Sequence, residues 1–71
     1  MKKIIILGAS GGCLDILSLL EEINKIKKRF KILGILDDKI KTLTGVKNYK
    51  VLGKFSDAKK FNKDIYFATA I

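Results

Sequence analysis

The residues best placed to do chemistry in this chain are the small ones of Gly8-Ala9-Ser10-Gly11-Gly12 and the acidic pair Asp37-Asp38. The glycine cluster follows a wholly apolar run, Ile4-Ile5-Ile6-Leu7, and precedes an amphipathic stretch. Strand, glycine loop and helix in that order let backbone N–H groups and a helix N-terminus hold an anion, usually a phosphate. In such a unit a carboxylate at the end of the second strand sits beside the loop, where it can accept hydrogen bonds from ribose hydroxyls or a base N–H. Asp37 and Asp38 stand where that acceptor belongs. Each residue also has a plain structural use. Tight strand-to-helix turns use glycine for geometry, and aspartate is common where a strand gives way to a turn.

The wording of the loop narrows the ligand. A dinucleotide fingerprint needs glycine at the first, third and sixth positions of G-x-G-x-x-G. Counted from Gly8 these are Gly8, Ser10 and Cys13, so only the first matches. A P-loop is excluded, because no Gly-Lys-Ser/Thr closes the segment. Ser10 can donate its hydroxyl to a phosphate or cap the helix. Cys13 begins the helix, where the dipole lowers a thiol pKa, but it falls on the apolar stripe and reads as core. The chain has no histidine and one cysteine. An ordinary zinc site and a histidine general base are therefore not expected, which weighs against an enzyme complete within these residues.

Seventy-one residues allow one small domain, and 48% hydrophobic content suits a globular fold. No apolar run approaches the roughly 20 residues of a membrane span, and too few precede Gly8 for a signal peptide. The lone cysteine fits a reducing compartment, so a cytoplasmic location is expected. The formal charge of +8 comes from 15 basic and 7 acidic residues. A strongly basic chain invites a nucleic-acid or membrane-surface reading. All but one of the cations are lysines spread from Lys2 to Lys63, whereas nucleic-acid readers favour arginine and stacking aromatics. No nucleic-acid partner is expected, and the cluster Lys25, Lys27, Lys28, Arg29 complements the C-terminal dipole of the first helix.

The elements that would hold these residues follow from periodicity. Residues 3–7 form a continuous apolar run, the mark of a buried parallel strand. A helix is predicted over 11–28, with Cys13, Ile16, Leu17, Leu20 and Ile23 on one stripe and Ser10 as N-cap. Phe30–Leu36 is the second strand, 39–48 an irregular connection, and Tyr49–Leu52 a short strand. Ser56–Phe61 is a short helix and Asp64–Ala70 a third central strand. The order β-α-β-(β)-α-β predicts an α/β fold: a Rossmann-like three-layer domain with a small parallel sheet and right-handed crossovers. Ending on an apolar strand reads as a fragment of a longer protein.

The ordered set KKIIILGASGG, GILDD, YKVLG and DIYFATAI resembles the N-terminal domain of the NeuD/PglD-like sugar O-/N-acyltransferases, over essentially all of residues 1–71. The resemblance implies a single nucleotide-sugar-binding domain. A separate C-terminal left-handed β-helix would use acetyl-CoA, carry the catalytic histidine and form a homotrimer. It implies a UDP-sugar-like substrate, with Ser10, Gly11 and Gly12 in the phosphate- and sugar-contacting loop. Asp37 and Asp38 match the carboxylates near uracil and ribose, and Ala70 falls near the small residue after the last strand. Members commonly carry His where Gly12 stands, so a side-chain contact made there is missing here. The readings kept beside it are a dinucleotide-binding fragment of a dehydrogenase or epimerase, and a basic nucleic-acid-binding module.

Overall fold

A computed structural model of the chain describes residues 1–9, 12–39 and 45–70. Strand β1 (Lys2–Leu7) leads to helix α1 (Cys13–Ile26), then strand β2 (Phe30–Leu36). A two-residue strand β3 (Gly45–Val46) turns into β4 (Tyr49–Gly53). A 3-10 helix (Phe55–Lys60) then carries the chain to β5 (Tyr66–Thr69). The sheet order is β3-β4-β2-β1-β5, with β4, β2, β1 and β5 parallel and β3 antiparallel to β4. This is the expected Rossmann-like arrangement of a small parallel sheet with helical segments.

The apolar runs are buried as continuous patterning requires. Ile4, Ile6, Ile35 and Val51 meet Cys13, Leu17 and Leu20 of α1 in one cluster. Ile5 and Leu36 alternate with that set and are themselves fully buried, and the 3-10 helix lies against β2. Fully burying one such aliphatic side chain is worth about 1.5–3 kcal/mol, so this cluster carries the fold. At one edge, β5 leaves Tyr66 and Phe67 exposed, and the Lys2 ammonium stands 5.3 Å from the Tyr66 ring centre.

Parallel β2 and β1 slip register between Ile4 and Ile5, which face Ile32 and Gly34. Gly34 sits at φ 157°, and a Cβ there would stand 2.6 Å from Leu52 Cγ and 2.9 Å from the Lys50 carbonyl. Only glycine lets β4 approach so closely.

Four expectations shift. Helix α1 starts at Cys13 with Gly12 as N-cap and no side-chain cap bond among the described residues; Ser10, the expected cap, lies outside them. The irregular connection contains β3, because Gly45 and Val46 pair with Lys50 and Tyr49. The short helix is 3-10 rather than α: six residues make too few α turns, and the Asp57 carboxylate tightens the start by accepting from the Lys54 amide at 2.9 Å. Strand β5 is shorter than 64–70 at both ends.

Candidate functional site

The strands of the parallel sheet end on one edge, and backbone hydrogen bonds tie the segments just beyond them together. Gly8 donates to the Leu36 carbonyl at 2.8 Å, Ala70 to Leu7 at 2.8 Å, and Asp37 to Gly53 at 3.0 Å. Gly8 turns the chain out of β1 at φ 107°, a left-handed value that favours glycine. The path then reaches Gly12, whose carbonyl accepts the first helical bond, from Ile16, at 3.0 Å. A Cβ built on Gly12 would lie 3.7 Å from the Ala70 carbonyl, so the start of α1 and the end of β5 meet here.

That meeting point has a topological meaning. From β1 the sheet grows one way through β2 to β4 and the other way to β5. In open α/β sheets such a reversal opens a crevice at the carboxyl ends of the strands, where ligands bind. The first-turn N–H groups of α1 have no side-chain cap among the described residues, and the dipole makes that end positive. The arrangement is suited to holding an anion.

Asp37 stands on the same edge, 7% exposed. Its Oδ2 accepts from the Ala9 amide at 2.7 Å and its Oδ1 from the Lys39 amide at 2.8 Å. The carboxylate thus binds the loop after β1 to the turn after β2. Asp38 is exposed and faces the other way along the edge. Its Oδ1 accepts from the Phe55 amide at 2.8 Å, at the start of the 3-10 helix. Cys13 is buried. Burial and, second, the Asp37 charge push its thiol pKa up, so the helix start does not yield a reactive thiolate.

Of the residues named from sequence, Gly12 and Ala70 come together, and Asp37 stands on the same edge, holding the Ala9 amide. Asp38 is turned toward the 3-10 helix, and Ser10 and Gly11 lie outside the described residues. Sequence reasoning missed Ala9. Its contribution is a backbone N–H, which no side-chain pattern announces. Among the described residues, no three of His, Cys, Asp and Glu converge as a metal site would need.

Parallel strands in this order, with a strand–loop–helix unit at the start, define a Rossmann-like α/β domain whose strand order reverses at β1, between β2 and β5. The family model described as the PglD N-terminal domain matches residues 3–71, and the chain belongs to that family. This places it in the context of sugar acyltransferases. No curated protein and no solved structure matches the chain.

Proposed function

We propose that the chain binds the nucleotide-sugar substrate of a sugar acetyl- or acyltransferase that modifies sugars destined for surface glycans or sialic-acid-like products. The observation that carries this reading is the meeting of Gly12 and Ala70 at the strand-order reversal, on the edge where Asp37 fixes the glycine loop. In this reading the diphosphate lies against the loop at Ser10, Gly11 and Gly12 and the start of α1. Ribose and base lie toward Asp37 and Asp38, and the sugar extends past Ala70. The substrate is UDP-sugar-like. Acyl transfer from acetyl-CoA, and trimer formation, belong to a β-helix domain outside these residues, and the protein works in the cytoplasm.

Ser10 and Cys13 stand at two fingerprint glycine positions, which favours a nucleotide sugar over NAD. Titration calorimetry with UDP, a UDP-amino sugar and NAD tests the reading. Heat of binding with the uridine ligands and none with NAD is expected. NAD binding with uridine ligands silent at millimolar concentration rejects it.

A further inference from the structure

The opposite edge of the sheet, where the parallel strands begin, carries a charge pattern that nucleotide binding leaves unused. Lys2, Lys3, Lys27, Lys28, Arg29 and Lys31 all stand exposed there. Topology gathers them: α1 ends at Ile26, β2 starts at Phe30, and Lys2 and Lys3 of β1 pair with Phe30 and Lys31. The Lys2 amide donates to the Arg29 carbonyl at 2.8 Å. Among the described residues none of these cations has an acidic partner, since the ion pairs take Lys25, Lys47 and Lys60. Of the acids near this edge, Glu22 pairs with Lys25 and Asp64 follows Lys63 in the chain.

A helix dipole accounts for cations at the end of α1, but not for Lys2, Lys3 and Lys31 on the strands. Unpaired like charges held together destabilise a compact fold, so a concentrated patch points to an anionic partner. Two large apolar residues stand out beside it: Met1 is 75% exposed and Ile26 91%. A hollow of about 350 Å³ lined by Met1, Lys2, Arg29 and Phe30 opens beside Met1.

We propose that this edge docks the protein onto an anionic lipid surface, with the cations at the headgroups and Ile26 and Met1 entering the interface. Three observations favour lipid over nucleic acid. The cations are nearly all lysines, point charges rather than the flat fork that reads phosphates and bases. Among the described residues one ring, Tyr66, stands against a cation of the patch, whereas single-strand binding uses a row of stacking rings. Exposed apolar tips beside lysines suit the boundary between headgroup and acyl chain. No helix among the described residues is long and apolar enough to cross a membrane, so the attachment is peripheral. The strands run from this edge to the crevice, so a docked molecule presents Gly12 and Ala70 away from the lipid.

Co-sedimentation of the chain with vesicles tests this, comparing mixed phosphatidylglycerol and phosphatidylcholine with phosphatidylcholine alone at low salt. Each basic residue at an anionic surface raises partitioning roughly fivefold. The combined variant Lys27→Glu, Lys28→Glu, Arg29→Glu is expected to lose roughly a hundredfold or more of its partitioning. The same charge change placed elsewhere, Lys39→Glu, Lys50→Glu, Lys59→Glu, is expected to lose far less. Ile26→Asn, at a position too exposed to affect folding, is expected to weaken attachment severalfold. Equal losses from the two triple variants, or no preference for the anionic vesicles, overturn the proposal. Tighter binding to a DNA duplex than to the vesicles at the same salt does so too. Nucleotide titration reads the opposite edge separately, so either proposal can fail alone.

Discussion

The Asp37 carboxylate receives the Ala9 amide at 2.7 Å across 28 residues of sequence. With the Gly8 amide on the Leu36 carbonyl, this bond ties the start of the glycine loop to the end of β2. Because Asp37 Oδ1 takes the Lys39 amide as well, both oxygens are engaged by backbone donors. Asn at this position keeps one acceptor and sets an NH₂ against a backbone N–H. Leaving a buried donor unpaired costs about 1–3 kcal/mol. Asp37→Asn is therefore expected to lower urea-unfolding stability by that amount, and Asp37→Ala by at least as much. Both should weaken uridine-nucleotide binding per folded molecule, because the loop loses its anchor. Full affinity in the folded fraction of Asp37→Ala would separate the loop anchor from the ligand site.

Gly34 and Leu52 form a second relationship that a pair of substitutions can read. Gly34→Ala places a methyl against the Leu52 side chain and the Lys50 carbonyl in a left-handed backbone conformation. A loss of about 2–4 kcal/mol is expected, the range of overpacking combined with backbone strain. Leu52 is 43% exposed, so Leu52→Ala alone should cost little. The double variant should recover part of the loss, with a favourable coupling near 1 kcal/mol in a double-mutant cycle. Simple additivity would mean that the Lys50 carbonyl and the backbone angle carry the whole penalty.

The turn between β3 and β4 is held to α1 by charge. Lys47 and the Tyr49 hydroxyl both donate to Glu21, and the Lys47 bond, ahead of the others, holds the Glu21 carboxyl below the usual glutamate range. A carboxyl depressed in the fold stabilises above its unfolded pKa and loses that contribution as pH falls through the folded value. Glu21→Gln is therefore expected to melt below the parent chain at neutral pH, with the two Tm values converging on acidification below the usual glutamate range. Thermal melts at low salt across that range check it. A constant gap at every pH would assign the effect to packing rather than charge.

What the sequence disclosed divides along physical lines. Phe30–Leu36 and the stripe Cys13, Leu17, Leu20 declare themselves by continuous and 3.6-residue apolar patterning, which the core requires. The β3–β4 hairpin does not, because two residues have no period. Its turn also places Lys47 at φ 56°, a conformation usually marked by Gly or Asn. The Lys47 bond to Glu21 spans 26 residues and is invisible to any local window. The site divides in the same way. Gly12 and Asp37 are legible as residue types, one at the start of a helix and one at the end of a strand. The role of Ala9 is not, since a main-chain donor has no letter. Asp38 reads as a twin of Asp37, yet a one-residue step along the chain turns it toward Phe55 instead.

Gly12 offers the most direct test of the crevice. A methyl there would meet the Ala70 carbonyl at an ordinary 3.7 Å contact, and the backbone at φ −79° accepts any residue. Gly12→Ala should therefore fold with a loss within about 1 kcal/mol, the scale of an N-cap substitution. Gly12→Val adds branching in the gap between the loop and β5, where the diphosphate is proposed to lie. Its stability should remain close to that of the Ala variant while uridine-nucleotide affinity falls tenfold or more, corresponding to about 1.4 kcal/mol. Denaturant unfolding and calorimetric titration of the same samples separate the two effects. Unchanged affinity in a folded Gly12→Val protein would place the ligand elsewhere on the carboxyl edge, and a matching loss of both quantities would make Gly12 a packing residue.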